Sequence, residues 1–228
     1  MRPPGSAAAP DTWRRLHVFG GGAAFWQPVV AAAAALAGLL PAYEEAGDAG
    51  AGSGRVAAVL DHAAGTGDPV LVLPPGPEDH GDTAPGRHLR VMVPTDFTRE
   101  EQRVLHRWAE RAVRLGFDVH QLHVLDESTR PPMWEGAGHH AEAWHAELCR
   151  RHQLSDARLA VRAGDPVERI LERSTGVDLI LVCWRGDPGA GHARVVRQLL
   201  ERTERPLLLV RAEPLAWAAA EPVGELVR

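Results

Sequence analysis

The run DLILVCW at 178–184 restricts the fold more than any other segment of the chain: after its Asp it is apolar at every position. Side chains of a strand point alternately to opposite faces, so such a run needs cover on both. That is the signature of a central strand in a parallel sheet sandwiched between helices. The flanking sequence agrees. RHLRVMVPTDFT at 87–98 carries a short apolar run that ends in Pro94-Thr95-Asp96, and RPLLLV at 205–210 supplies a closing strand.

Between these strands the pattern alternates. Val104, Leu105, Trp108, Ala112 and Leu115 fall at helical spacing over about Arg99–Leu115, and Gly116 stops that helix. A second strand is expected at Phe117–Leu125, a helix at about Ala137–His152 and a third strand at Ala157–Val161. Asp165 and Pro166 suit the N-cap and first position of a third helix. The fourth strand is Asp178–Trp184, followed by a helix at about Ala193–Arg202 and a fifth strand at Pro206–Val210. Alternating strands and helices with right-handed crossovers predict an α/β fold with a doubly wound five-stranded parallel sheet over residues 88–212. In such a sheet ligands bind at the carboxyl ends of the strands, where Asp96 and Thr95 stand.

The N-terminal half is less regular. Residues 1–12 hold nothing to pack and are expected to be disordered. RLHVF at 15–19 suggests a strand and Pro28–Glu45 an Ala-rich helix, with AGDAGAGSG at 46–54 as a loop. Gly20-Gly21-Gly22 does not complete a dinucleotide fingerprint, because Phe25 stands where a small residue is needed. Residues 55–76 resemble 194–213: each runs Arg-Val, an amphipathic helix, then Pro and four apolar residues. Arg55 to Pro69 spans 14 positions and Arg194 to Pro206 spans 12. The likeness suggests that 13–73 is a degenerate second copy; any helix–strand pair is the competing explanation. The Pro/Gly/acidic stretch 74–87 reads as a linker and 213–228 as a tail.

Composition narrows the function. A formal charge of −5 argues against nucleic acid. Every basic residue is Arg, which reads as coding bias. Two cysteines, Cys149 and Cys183, make no disulfide framework and favour a reducing cytoplasm. The stretch 23–43 has nearly the length of a membrane span, yet it is mostly Ala and includes Gln27, Pro28 and Pro41, so a buried helix is the stronger expectation. His145 and Cys149 are four apart, half of a zinc site at most, with no further ligands spaced to complete it. There is no Walker A, G-x-S-x-G or H-E-x-x-H motif, so no catalytic residue and no metal site is assigned.

VPTD at 93–96, LHVL at 122–125, GDPVERIL at 164–171, DLILV at 178–182, Arg185-Gly186 and RPLLLV at 205–210 together resemble the universal stress protein family over about residues 88–212. The resemblance implies a Rossmann-like sheet of order 3-2-1-4-5, a tendency to homodimerise, and a stress-response role. It also implies an ATP site in many members, in which the Asp ending strand one contacts adenine and a loop of the form G-x-x-G, nine residues, G-S/T holds the phosphates. The positions carried over are Pro94, Thr95, Asp96, Gly186, Gly189, Gly191 and Arg194. Here Cys183 replaces the first glycine, the DPGAGH loop is short, and Ala193-Arg194 stands where Gly-Ser/Thr belongs. Backbone amides of a glycine loop and a helix N-terminus favour phosphate, and these changes weaken both. The expectation is a non-catalytic binding or signalling module with a degraded ATP site, no required cofactor, a homodimer or other protein partner, and no membrane attachment. An adenine-nucleotide switch using Asp96 and the Gly186–Gly191 loop is the alternative.

Overall fold

The computed structural model describes residues 15–20, 25–39, 43–47, 53–74, 88–96, 99–125, 146, 150, 159–185 and 191–212. Eight strands form one sheet: β1 (Leu16–Phe19), β2 (Tyr43–Gly47), β3 (Val70–Val72), β4 (Arg90–Pro94), β5 (Asp118–Leu125), β6 (Leu159–Ala163), β7 (Leu179–Trp184) and β8 (Leu207–Arg211). Its order is β2-β1-β3-β8-β7-β4-β5-β6. The helices bounded among the described residues are α1 (Gln27–Ala37), α2 (Ser53–Thr66), α3 (Arg99–Arg114), α4 (Pro166–Ser174) and α5 (Gly191–Arg202).

From β6 to β8 the order β6-β5-β4-β7-β8 is the expected 3-2-1-4-5, with every neighbouring pair parallel. β7 is buried at all six positions. Its side chains divide between two cores as a doubly covered strand must. Leu179, Leu181 and Cys183 pack with α1 and α3, while Ile180, Val182 and Trp184 pack with α2, α4 and α5. Helix ends follow local chemistry. Asp165 Oδ1 accepts the Val167 and Glu168 amides at 2.9 and 3.1 Å, capping α4 ahead of Pro166. Gly116 ends α3 at φ 79°, a left-handed turn that glycine adopts without steric penalty.

β6 lies two residues later than the 157–161 expected, and α5 starts at Gly191 instead of Ala193. The larger correction concerns residues 28–45. α1 stops at Ala37 because Gly38 is left-handed, with the Gly38 amide bonded to Ala35 O and the Leu39 amide to Ala34 O. Tyr43–Gly47, expected as helix end and loop, is the strand β2, parallel to β1. The helix expected at 137–152, including His145 and Cys149, lies outside the described residues apart from helical Ala146 and Arg150. So do residues 1–12, for which disorder is expected from sequence, most of the linker and the tail. Among the described residues no helix is long and apolar enough to cross a membrane.

The N-terminal strands join the same sheet. β3 pairs antiparallel with β8, matching Val70 to Leu209, Leu71 to Leu208 and Val72 to Leu207. In a five-stranded sheet β8 would be an edge presenting unpaired amides and carbonyls. Here β3 covers it. α2 adds a further tie, because its Ala64 carbonyl accepts from Arg211 Nη1 of β8 at 3.1 Å.

Candidate functional site

The connection from β4 leads outward to β5 and the one from β6 returns to β7, so the sheet changes direction between β4 and β7. In open α/β sheets ligands gather at that crevice, outside the carboxyl ends of the strands. Its chemistry begins at Pro94, which ends β4 opposite Leu122 of β5. Thr95 is buried and bonded on both sides: its amide donates to Leu122 O at 2.9 Å, and its carbonyl accepts from His123 Nδ1 at 2.8 Å. Asp96 is the first exposed residue after the strand. A short apolar strand stopped by proline thus delivers one carboxylate to the crevice with its backbone fixed from behind.

That carboxylate is engaged. Arg185, the residue after β7, donates from Nη2 to Asp96 Oδ2 at 2.6 Å, and the two side chains are 39% and 38% exposed. A half-exposed pair of this kind contributes about 1 kcal/mol or less to stability. Its weight lies in position, since it joins the ends of the two strands that flank the crevice.

His123 was not among the expected site residues, although it lies in the LHVL segment that helps carry the family resemblance. Because a carbonyl only accepts, its Nδ1 carries the proton and Nε2 is the basic nitrogen. Burial pushes its pKa below the ordinary value, against the opposing pull of the Thr95 carbonyl and Asp96. A histidine within an otherwise alternating strand was the available signal; only the fold brings it behind Asp96.

The other expected positions separate. Gly186 and Gly189 lie outside the described residues. Gly191 opens α5 and is helical instead of part of a loop. Arg194 approaches Asp165 Oδ2 at 3.7 Å, so its guanidinium reaches the α4 N-cap. Ala193 is buried, as are Cys183 and Trp184 on opposite faces of β7. The structure therefore brings together Pro94, Thr95, Asp96, Arg185 and His123, and turns Arg194 away toward α4. Among the described residues no group of three histidine, cysteine or acidic side chains is arranged to hold a metal.

Comparison with known proteins gives the family directly. The model of the universal stress protein family matches residues 88–211, more than half of the chain. No curated protein matches. Among solved structures, a functionally unknown protein from Pseudomonas aeruginosa is similar at 12% identity and TM-score 0.48, covering 87% of this chain and 82% of that one. A universal stress protein from Archaeoglobus fulgidus is similar at 17% identity and TM-score 0.42, covering 83% and 76%. One from Lactobacillus plantarum is similar at 17% identity and TM-score 0.39, covering 55% and 99%. The sequence match over 88–211, which holds the Pro94-Thr95-Asp96 strand end and the whole five-stranded order, is the stronger finding: the chain belongs to the universal stress protein family.

Proposed function

We propose that this chain is a non-catalytic binding or signalling module of the stress response, with an adenine-nucleotide site reduced from the form the family resemblance implies. The observation that carries this reading is the Arg185–Asp96 pair. The carboxylate that would meet a base already holds a cation from its own chain, and a nucleotide must displace it. Three further features point the same way. Trp184 is buried where the loop leaves β7, Arg194 is directed to Asp165, and α5 begins at Gly191, which shortens the loop available to phosphates.

The nucleotide switch keeps one observation in its favour. Asp96 stands at the crevice beside a rigidly bonded Thr95, and Arg185 brings a cation to the same crevice. Melting the full chain with and without millimolar Mg-ATP separates the readings. A ligand at a hundred times its dissociation constant stabilises a fold by about 2.7 kcal/mol, several degrees for a chain of this size. No shift is expected. A shift that Asp96→Ala removes would establish the switch instead.

The homodimer and the cytoplasmic location belong to the same proposal. With β8 covered by β3, a second copy would meet this one elsewhere, at the β2 or β6 edge or on a helical layer. The degenerate-copy reading also gains support. Aligning Pro69 with Pro206 makes Leu71 equivalent to Leu208, and these two residues are the centre of the antiparallel β3–β8 pairing. The buried stripes agree as well, Val56, Val59 and Leu60 of α2 with Val196, Leu199 and Leu200 of α5, one position beyond the Arg55–Arg194 match. On this reading two closing strands of one unit pair about a local twofold axis, inside a single chain.

A further inference from the structure

Far from Asp96, two histidines meet beneath α2. His17 projects from β1, is 6% exposed, and lies on the α2 side with Phe19. Its ring stands edge-on to His62 of α2, with centroids 4.4 Å apart and planes at 73°. His62 is in turn edge-on to Phe19 at 5.2 Å. The Nε2 atom of each imidazole is buried and makes no hydrogen bond. Buried polar nitrogens are nearly always bonded, so two orphans in contact call for an explanation.

The surroundings supply charge. Asp68, just before β3, has Oδ2 at 3.6 Å from His17 Nε2, too long for a hydrogen bond. Glu44 of β2 lies opposite His17 in register, and its carboxylate is held by Arg15 at 2.6 Å. On α2 itself Asp61 is exposed, and β8 directs Arg211 to the Ala64 carbonyl. The charged residues of α5, which packs along α2, are Arg194, Arg197, Glu201 and Arg202, all exposed. The acidic groups acting on His62 are therefore Glu44 and Asp68, and the opposing group is His17.

We propose that His17 and His62 form a proton-sensitive joint, which holds α2 on β1 while His62 is neutral and loosens when His62 is charged. A proton on His62 places a cation against the buried His17 ring, with Glu44 already occupied by Arg15. Burial first and His17 second hold the His62 pKa below its ordinary 6.5. The unfolded chain thus binds this proton more tightly than the folded one. The contribution to stability is complete above pH 6.5 and is lost as pH falls below it toward the folded value. The joint secures β1, α2 and β3, so acid is expected to loosen these elements before β4 and β7. This inference stands apart from the nucleotide question.

The test follows imidazole signals of the full chain by NMR from pH 8 to pH 5, with amide hydrogen exchange corrected for its intrinsic pH dependence. The His62 ring should titrate below 6.5. Protection in 16–19 and 53–72 should fall with acid while protection in 90–94 and 179–184 holds. His62→Phe, which keeps an aromatic edge contact and cannot take a proton, should abolish that selective loss. His62 titrating at 6.5 or above, or the selective loss persisting in His62→Phe, would overturn the proposal. Should that variant fail to fold, the titration of the unaltered chain decides alone.

Discussion

The two parts of the sheet place their polar groups in opposite ways. In the C-terminal strands the interior is apolar throughout β7, and the charge stands at the carboxyl edge, where Asp96 meets Arg185. In the N-terminal strands β1 is followed by Gly20 at φ 122°, with no carboxylate there, and the polar pair lies between layers, His17 buried on β1 and His62 half-buried on α2. A group at a strand end can exchange water for a ligand at little cost to the core. One beneath a helix cannot change its charge without disturbing packing. The first arrangement suits recognition, and the second makes the fold itself responsive.

Helix ends show the same contrast. α4 is closed by the Asp165 side chain, whereas the N-cap of α1, Trp26, makes no side-chain capping bond, and the limits of α1 rest on Pro28 and Gly38.

This contrast can be broken by substitution. The largest effect is expected from Trp184→Ala, which removes a fully buried indole between β7 and the α4–α5 layer. A loss of about 3–5 kcal/mol should be seen in urea unfolding. A loss below 1 kcal/mol would mean that this end of β7 is plastic enough to reopen a pocket.

Leu71→Ala at the junction should cost about 2–5 kcal/mol, because Leu71 is fully buried and paired with Leu208. If the halves form one cooperative unit, far-UV circular dichroism and tryptophan fluorescence of this variant will give one coincident transition. Two separated transitions would show that β3–β8 pairing joins parts that fold on their own.

Asp165→Ala, confined to the C-terminal part, should cost about 1 kcal/mol through loss of the α4 cap. It also releases Arg194, so repeating the ATP melt in this variant asks whether that guanidinium is restrained from phosphate only by Asp165. A shift in the variant alone would say that it is.

Much of the C-terminal fold was legible because its signals are local. DLILVCW reports cover on both faces, Asp165-Pro166 opens a helix, Gly116 closes one, and Pro94 ends a strand just before the carboxylate. The N-terminal part was less legible. Tyr43–Gly47 has neither strand alternation nor turn chemistry of its own, and becomes a strand because β1 offers it a parallel partner. In the site, Asp96 was legible as a strand-ending acid, but its bond to Arg185, 89 positions away, was not. Likewise nothing in LHVF or LDHA marks a pair of histidines in contact.

The sequence by itself determined the five strands of 88–212 and the described helices between them, the family, and the residue that reaches the crevice, because periodicity, caps and strand ends depend on near neighbours along the chain. Only the tertiary structure decided that β3 covers β8, that Arg185 occupies Asp96, and that His17 lies against His62. Each of these joins segments far apart in sequence. Contacts of that kind are fixed by which faces remain to be buried once the local elements have formed, and no local pattern encodes that choice.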